Sequence, residues 1–382
     1  MIEPDSYAQL KHDIAERIAA DRVLLDQLRA EIRPLRSAVQ RIHPRTTTSI
    51  SLVAADGGNN SLRFDPFLVQ VVRVVDSSNN EYCLEAITSS TSISGLGRKQ
   101  FNADGSPQTA LGEMMKYLGV STLQELSHMI RENEDGHPTS SSWVQNYREL
   151  VEWAILFSLV RKKDFGTDIL IVYDGLLRSK VFTGDLFKKY LQGIQESIEL
   201  QKYRNHRKIY LAGVAKQSKV LSRYRLAMAL EDILLTRYPA YVPIPRDVEE
   251  RAYIRVDYAH GDDWEIENRG VNRFVGGNMF FVKFGSGPHD PIWPVDIFSP
   301  QVPEVATILG YMLADAINGF PVPLYPRCLQ KAHANATLAE FDFDILQDHI
   351  FAGIRQILAE EASVLDVFRL KDVDLAQRRY EA

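Results

Sequence analysis

The sequence predicts an α/β protein built on a mixed sheet with helices on its faces. Three observations carry this. Segment 46–90 alternates apolar and polar residues around turn residues, the pattern of an antiparallel meander. Asp168–Tyr173 (DILIVY) and Lys208–Val214 (KIYLAGV) are continuous apolar runs, the kind of strand that is covered on both faces. Around them lie stretches whose apolar residues recur every three or four positions, which is helical spacing.

Taken in order, residues 6–38 read as one helix. Leu10, Ile14, Ile18, Leu25, Leu28 and Ile32 form its apolar stripe, and Pro34 should kink or stop it. Such an arm either packs on its own domain or pairs with a second copy or partner. TTTSISLVAADGG is the first strand, expected to finish at Asp56-Gly57. Phe67–Ser90 holds two strand runs around DSSNN, a hairpin. Thr91–Gly112 is rich in Gly and Ser and reads as loop, followed by short helices and a second loop over Glu134–Ser142. Trp143–Lys163 is a helix of high apolar content. After the Asp168 strand comes a helix over about 185–203, then the strand that begins at Lys208, then a helix from Arg223. Residues 252–296 alternate like strands, Val302–Asn318 is helical, and a Pro-rich turn leads to KAHANATL. A final amphipathic helix begins near Asp342.

The chain has 382 residues, enough for one large domain with additions or for two domains. Its net charge of −6 gives no bulk signature of nucleic-acid binding, so a polyanion would need local basic patches or bound cations. Three runs supply candidates: Arg161–Lys163, Lys188–Tyr190 and Lys202–Lys208. The two cysteines, Cys83 and Cys328, make no disulfide framework and no zinc pattern, which fits a reducing compartment. No apolar run approaches the roughly 20 residues of a membrane span, and the first residues lack a leader's basic and apolar parts. A cytoplasmic protein away from membranes is the expectation. There is no Walker loop, GxGxxG fingerprint, GxSxG elbow or HExxH pair.

The chemistry centres on two aspartates. Asp56 in VAADGG and Asp174 in LIVYDGLL each follow an apolar run and precede glycine. One Asp-Gly pair is ordinary turn chemistry. If the two strands are neighbours, however, the carboxylates repel unless one is protonated or a cation lies between them. A hard divalent ion is the natural occupant. Glu149 and Glu152 share a face of the helix before the Asp174 strand. Glu152 sits in the apolar stretch LVEWAILFSLV and needs either a metal or a cationic partner such as Arg148 or Lys162. Lys216 follows the KIYLAGV strand, where it can hold a phosphate or stand as a solvated turn residue. His333 is a structural histidine or, near such a cluster, a ligand or proton carrier. Asp296 also ends an apolar run and ranks below these.

These residues in this order resemble the NurA nuclease family: VAADGG, a helix with glutamate, IVYDGLL, AGVAKQSK, then a Pro-rich loop into KAHANATL. The resemblance spans about Ile50 to Leu338. It implies an RNase H-like mixed β-sheet flanked by helices, with an N-terminal helical arm (1–45), a nuclease domain (46–345) and a C-terminal helical tail (346–382). It implies a DNA nuclease dependent on Mn²⁺ or Mg²⁺, cutting single strands and degrading 5′ to 3′. The implied setting is a homodimer working with a HerA-type hexameric ATPase in DNA end processing or in defence against phage. Carried over by position, Asp56, Glu152, Asp174 and His333 would bind metal and, with Lys216, form the catalytic set, Glu149 being the fallback for Glu152. A non-catalytic adaptor that docks on a ring ATPase is the rival reading.

Overall fold

The structure, a computed structural model, describes residues 3–45, 50–64, 67–88, 90–134, 136, 138–140, 142–252, 273–337 and 340–359. The side chains of residues 4, 5, 50–64, 67, 68 and 340–344 lie outside that description. The chain opens with α1 (Pro4–Ala20) and α2 (Arg22–Ile32), then a 3-10 turn over Arg33–Ala38 and β1 (Gln40–Arg41). The expected single helix is therefore broken at Asp21. The two parts have different surroundings. On α2, Ile32 is buried, and Arg29 with Arg33 just beyond it donate to the Glu231 carboxylate at 2.7 and 2.9 Å. On α1, Tyr7, Leu10, Ile14 and Ile18 are exposed. Pro34 sits in the first turn of the 3-10 segment, where its missing N–H costs nothing.

The meander follows: β2 (Ile50–Phe64), β3 (Phe67–Asp76) and β4 (Glu81–Thr88). The turn between β3 and β4 is built on Asp76. Its buried carboxylate accepts from the backbone N–H of Ser78 (2.8 Å) and Asn80 (2.9 Å), the Asn80 amide (2.7 Å) and the Tyr82 hydroxyl (3.0 Å). The Gly/Ser-rich segment expected to be loop contains α3 (Ile93–Arg98), started by the Ser92 hydroxyl accepting from the Gly95 N–H. Next come α4 (Ala110–Leu118), α5 (Leu123–Leu126), α6 (Trp143–Lys162), β5 (Asp168–Asp174), α7 (Leu186–Asn205) and β6 (Ile209–Val214). The next helix, α8 (Lys219–Leu230), starts earlier than its apolar spacing suggests because Ser218 caps it. Then come β7 (Ala240–Pro243), α9 (Arg246–Ala252), β8 (Gly277–Lys283), β9 (Ile292–Phe298), α10 (Val305–Ala316), α11 (Arg327–Ala336) and α12 (Glu340–Leu358). Part of the alternating stretch expected over 252–296 lies outside the described residues.

The nine strands among the described residues form one sheet, in the order β1-β7-β8-β9-β6-β5-β2-β3-β4. The strands β2, β3 and β4 pair antiparallel, and β5 and β6 add in parallel on the other side of β2. That order and orientation is an RNase H-like core, extended past β6 by the antiparallel strands β9, β8, β7 and β1. Strand β5 shows why its sequence is continuously apolar. Ile169, Ile171 and Tyr173 face the cluster containing α4, α6 and α7, while Leu170 and Val172 face the one containing α10 and α11. Helix α6 is buried nearly all round, which explains its lack of a polar face. Among the described residues no helix is long and apolar enough to cross a membrane.

A buried charge cluster ties the chain beyond β5 to the extension. The Arg178 guanidinium donates to both oxygens of Asp296 on β9, at 3.0 and 2.7 Å, and to Glu249 on α9. Asp296 is fully buried, so the aspartate that ends an apolar run in the sequence is an ion-pair partner. Removing one member of such a cluster leaves uncompensated charge inside the protein. Arg178→Leu is expected to destabilise the fold by about 3–5 kcal/mol, read from the urea unfolding midpoint. An unchanged midpoint would show that the cluster contributes nothing to stability.

Candidate active site at the ends of two parallel strands

Because β5 is covered on both faces, a polar side chain can leave it only at its ends. Asp174 is its last residue, in line with Leu170 and Val172 and so on the α10–α11 side. Its Oδ1 accepts from the Tyr325 hydroxyl at 3.1 Å, and its Oδ2 lies 3.4 Å from the Lys216 ammonium. The Asp174 side chain is 16% exposed and that of Lys216 51%, so the pair stands at the protein surface. Tyr325 is buried beneath them, packed on Trp293 at 4.8 Å between ring centres, with the Lys216 Nζ 5.9 Å from its own ring.

The glycine after Asp174 has a specific task. Gly175 takes φ of +138°, open to glycine and rarely to other residues, and its N–H donates to the Val214 carbonyl at 2.8 Å. The chain then folds back over β6. A Cβ at Gly213 would collide with the Gly175 carbonyl, so this turn also requires glycine in the neighbouring strand.

Strand register relates the two aspartates. Strand β2 pairs with β5 from Ile50↔Asp168 to Ala55↔Tyr173. One further step sets Asp56 opposite Asp174. Asp56 does not end its strand, however. Strand β2 runs on to Phe64, with Asp56 opposite Val75, Gly57 opposite Val74 and Gly58 opposite Arg73 of β3. Asp56 is therefore the first residue past the β5 pairing, where β2 continues with β3 alone. The Asp56 side chain lies outside the described residues.

The glutamates of α6 reach the same strand end from the other face. The Glu152 Oε2 accepts from the Tyr173 hydroxyl at 3.3 Å, and its Oε1 lies 3.3 Å from the Arg148 Nε. The Glu149 Oε1 accepts from the Ser179 hydroxyl at 2.6 Å and from the Trp153 indole N–H at 3.3 Å. Tyr173 stacks on Trp153 at 4.5 Å. Burial, then the nearby Glu152 and Glu149 charges, push the Tyr173 phenol well above its usual pKa, so it stays a donor. Burial also raises Glu149, against the opposing effect of its bonds from Ser179 and Trp153. Glu152 thus meets the residue before Asp174, and Glu149 the loop after it.

His333 lies on α11 with its side chain exposed. That helix packs on β2 and β3, and its end is tied to β3: Arg73 donates to the Asn335 carbonyl at 2.7 Å, and the Asn335 amide to the Asp76 carbonyl at 3.1 Å. Among the described residues no three His, Cys, Asp or Glu side chains converge closely enough to hold an ion. Asp174 and Lys216 are brought into contact, and Asp56 is aligned with Asp174 by register. Tyr325 escaped the sequence reading. Its signal is slight, one of two aromatics in the Pro-rich run, eight residues before His333.

No protein-family model matches the chain, and no curated protein matches it in sequence. Among solved structures it is similar to the NurA nuclease from Sulfolobus solfataricus, with 12% identity, 94% of this chain and 99% of that one covered, and a TM-score of 0.45. A structure of NurA with manganese aligns at 12% identity over 90% of this chain and 98% of that one, TM-score 0.39. A structure of NurA bound to dAMP and manganese aligns at 16% identity over 85% and 93%, TM-score 0.36.

The buried Glu149 makes a pH prediction. Its folded pKa is raised, so the native state holds its proton more tightly than the unfolded chain. Its stabilising effect is complete below the ordinary carboxylate range and is lost as pH rises through the folded value. Glu149→Gln, which mimics the protonated group, should flatten that part of the melting-temperature profile. A variant profile parallel to the wild type across the range would contradict this.

Proposed function

We propose that this chain is a metal-dependent DNA nuclease. The observation that carries the reading is the register that sets Asp56 opposite Asp174 on adjacent parallel strands, with the Lys216 ammonium 3.4 Å from the second carboxylate. The donor set fits a hard cation. Asp174 offers carboxylate oxygens at the surface, where a phosphate can approach, and the register brings the backbone of a second aspartate beside it.

Asp56 and Asp174 would hold Mn²⁺ or Mg²⁺, with Glu152 as the acid from the helix and His333 as a further ligand or proton carrier. A bound divalent ion supplies Lewis acidity toward a phosphoryl oxygen and a more acidic water. The chain's own groups do the rest. Tyr325 donates to the Asp174 Oδ1 and fixes the carboxylate's orientation. Lys216, half in solvent, turns its ammonium from Asp174 toward the phosphate and steadies charge that builds on the non-bridging oxygens. Gly175 keeps the backbone beside Asp174 free of a side chain that would block a nucleic-acid strand. His333 would take a proton from the attacking water or give one to the leaving oxygen.

In this reading the substrate is DNA, cut within single strands and degraded from 5′ ends. The chain works as a homodimer beside a HerA-type hexameric ATPase that feeds it the strand, in end processing or in defence against phage. The motif order from VAADGG to KAHANATL supports that setting.

Purified protein with Mn²⁺ should cut labelled single-stranded DNA. Asp56→Ala and Asp174→Ala should reduce cutting to background, and Lys216→Ala should slow it by about 10²–10³-fold. If wild type cuts nothing with Mn²⁺ or Mg²⁺, with or without the ATPase, and calorimetry detects no metal binding, the adaptor reading replaces this one. Wild-type cutting by Asp174→Ala would remove the site assignment.

A further inference from the structure

Two of the basic runs in the sequence, 161–163 and 202–208, come together at the end of the sheet opposite Asp174. The first closes α6 and the second closes α7, immediately before β5 and β6 begin. They are joined directly: the Gln201 amide donates to the Lys163 carbonyl at 3.3 Å. The Lys208 N–H also donates to the Asp168 carboxylate at 2.9 Å. Segments 161–168 and 202–208 contain seven Lys or Arg against two Asp, in a chain whose net charge is −6.

Some of this charge is neutralised locally. Lys162 pairs with Glu113, Lys163 lies 3.9 Å from Asp76, and Lys208 pairs with Glu304 at 3.3 Å. Four cations are not: among the described residues Arg161, Lys202, Arg204 and Arg207 have no ion pair. Arg161 stands against aromatic rings, 4.8 Å from that of Tyr117 and 5.0 Å from that of Phe157. Between Lys202 and Arg204 stands Tyr203, 83% exposed, a large ring offered to solvent. Clustered cations outside any ion pair, interleaved with an exposed aromatic, suit a chain of phosphates carrying unstacked bases.

We infer that this end of the protein is a second contact for a single-stranded nucleic acid, with Arg204 and Arg207 on phosphates and Tyr203 stacking a base. The seven-residue β5 separates it from Asp174 by about 20 Å. A strand touching both would run along the protein and be held at a point remote from cutting. The choice of a nucleic-acid occupant rests in part on the nuclease reading, but the contact needs no catalysis.

The test is fluorescence anisotropy of a labelled single-stranded oligonucleotide with full-length protein and divalent ions chelated. Arg204→Ala/Arg207→Ala should reduce the magnitude of the slope of log affinity on log salt by about 1–1.4. Tyr203→Ala should weaken binding by about tenfold, and Tyr203→Phe should restore it. Thermal melts should be unchanged, since these side chains are at the surface. Wild-type affinity and salt slope in all three variants would overturn the inference. A charge effect without a Tyr203 effect, equal for duplex and single strand, would overturn the single-strand assignment in favour of an acidic partner. Mn²⁺-dependent cutting is measured separately. Binding that depends on the patch, with no cutting by wild type, removes the nuclease reading alone. Cutting by wild type, with binding indifferent to the patch, removes this inference alone.

Discussion

Strand β5 is covered on both faces, and the candidate site follows from that constraint. A strand whose every side chain meets a hydrophobic layer has no place for a carboxylate except at its terminus. Asp168 occupies one end and Asp174 the other, with only apolar residues and Tyr173 between. Once Asp174 is fixed there, the chain must turn at once to keep the carboxylate open, which demands Gly175 in its unusual conformation and Gly213 beneath it. Lys216 comes from the end of β6 and Tyr325 from the segment before α11. Both meet Asp174 because the layers that bury β5 also bring their own ends to it.

The segment after Asp174 is held more firmly than a surface turn requires. Ser179 is bonded to Glu149 on α6, and Arg178 to Asp296 and Glu249 in the extension. One short stretch thus reads the position of the helical layer on one side and of the outer strands on the other. A buried ion cluster is an inefficient way to gain stability compared with apolar packing. Its geometric demands are strict, and the bidentate Arg178–Asp296 pair accepts few alternative arrangements. The cluster therefore fixes the direction in which the chain leaves Asp174.

Much of this was legible in the sequence wherever the signal is local. The continuous runs of β5 and β6, the high apolar content of α6 and the DSSNN hairpin follow from residues within a few positions of one another. What could not be read is non-local. That β2 lies beside β5 depends on pairing across more than a hundred residues, and the period of either strand is silent about its neighbour. The end of β2 differs from the expectation because Asp-Gly usually marks a turn, whereas here the strand exchanges β5 for β3 as its partner at that point and continues. The short β1 and β7 carry too few residues for a pattern. Ser92 and Ser218 start helices that composition alone reads as loop or later helix. Tyr325 has no motif of its own; it matters only through its contact with Asp174.

The sheet also has two outer margins, and they are protected differently. On the β1 side the margin is two residues long, too short to template another strand. On the β4 side it is eight residues long, with Tyr82 and Leu84 exposed, a composition that invites edge-to-edge association. Glu81 and Glu85 alternate with these residues and are anchored, Glu81 by Arg73 at 2.9 Å and Glu85 near Lys99 at 3.7 Å. Held in place along the rim, they act as gatekeepers: an incoming backbone would have to strip water from fixed carboxylates before it could form its first hydrogen bond. The same residues that complete the meander thus keep a long sheet from growing longer.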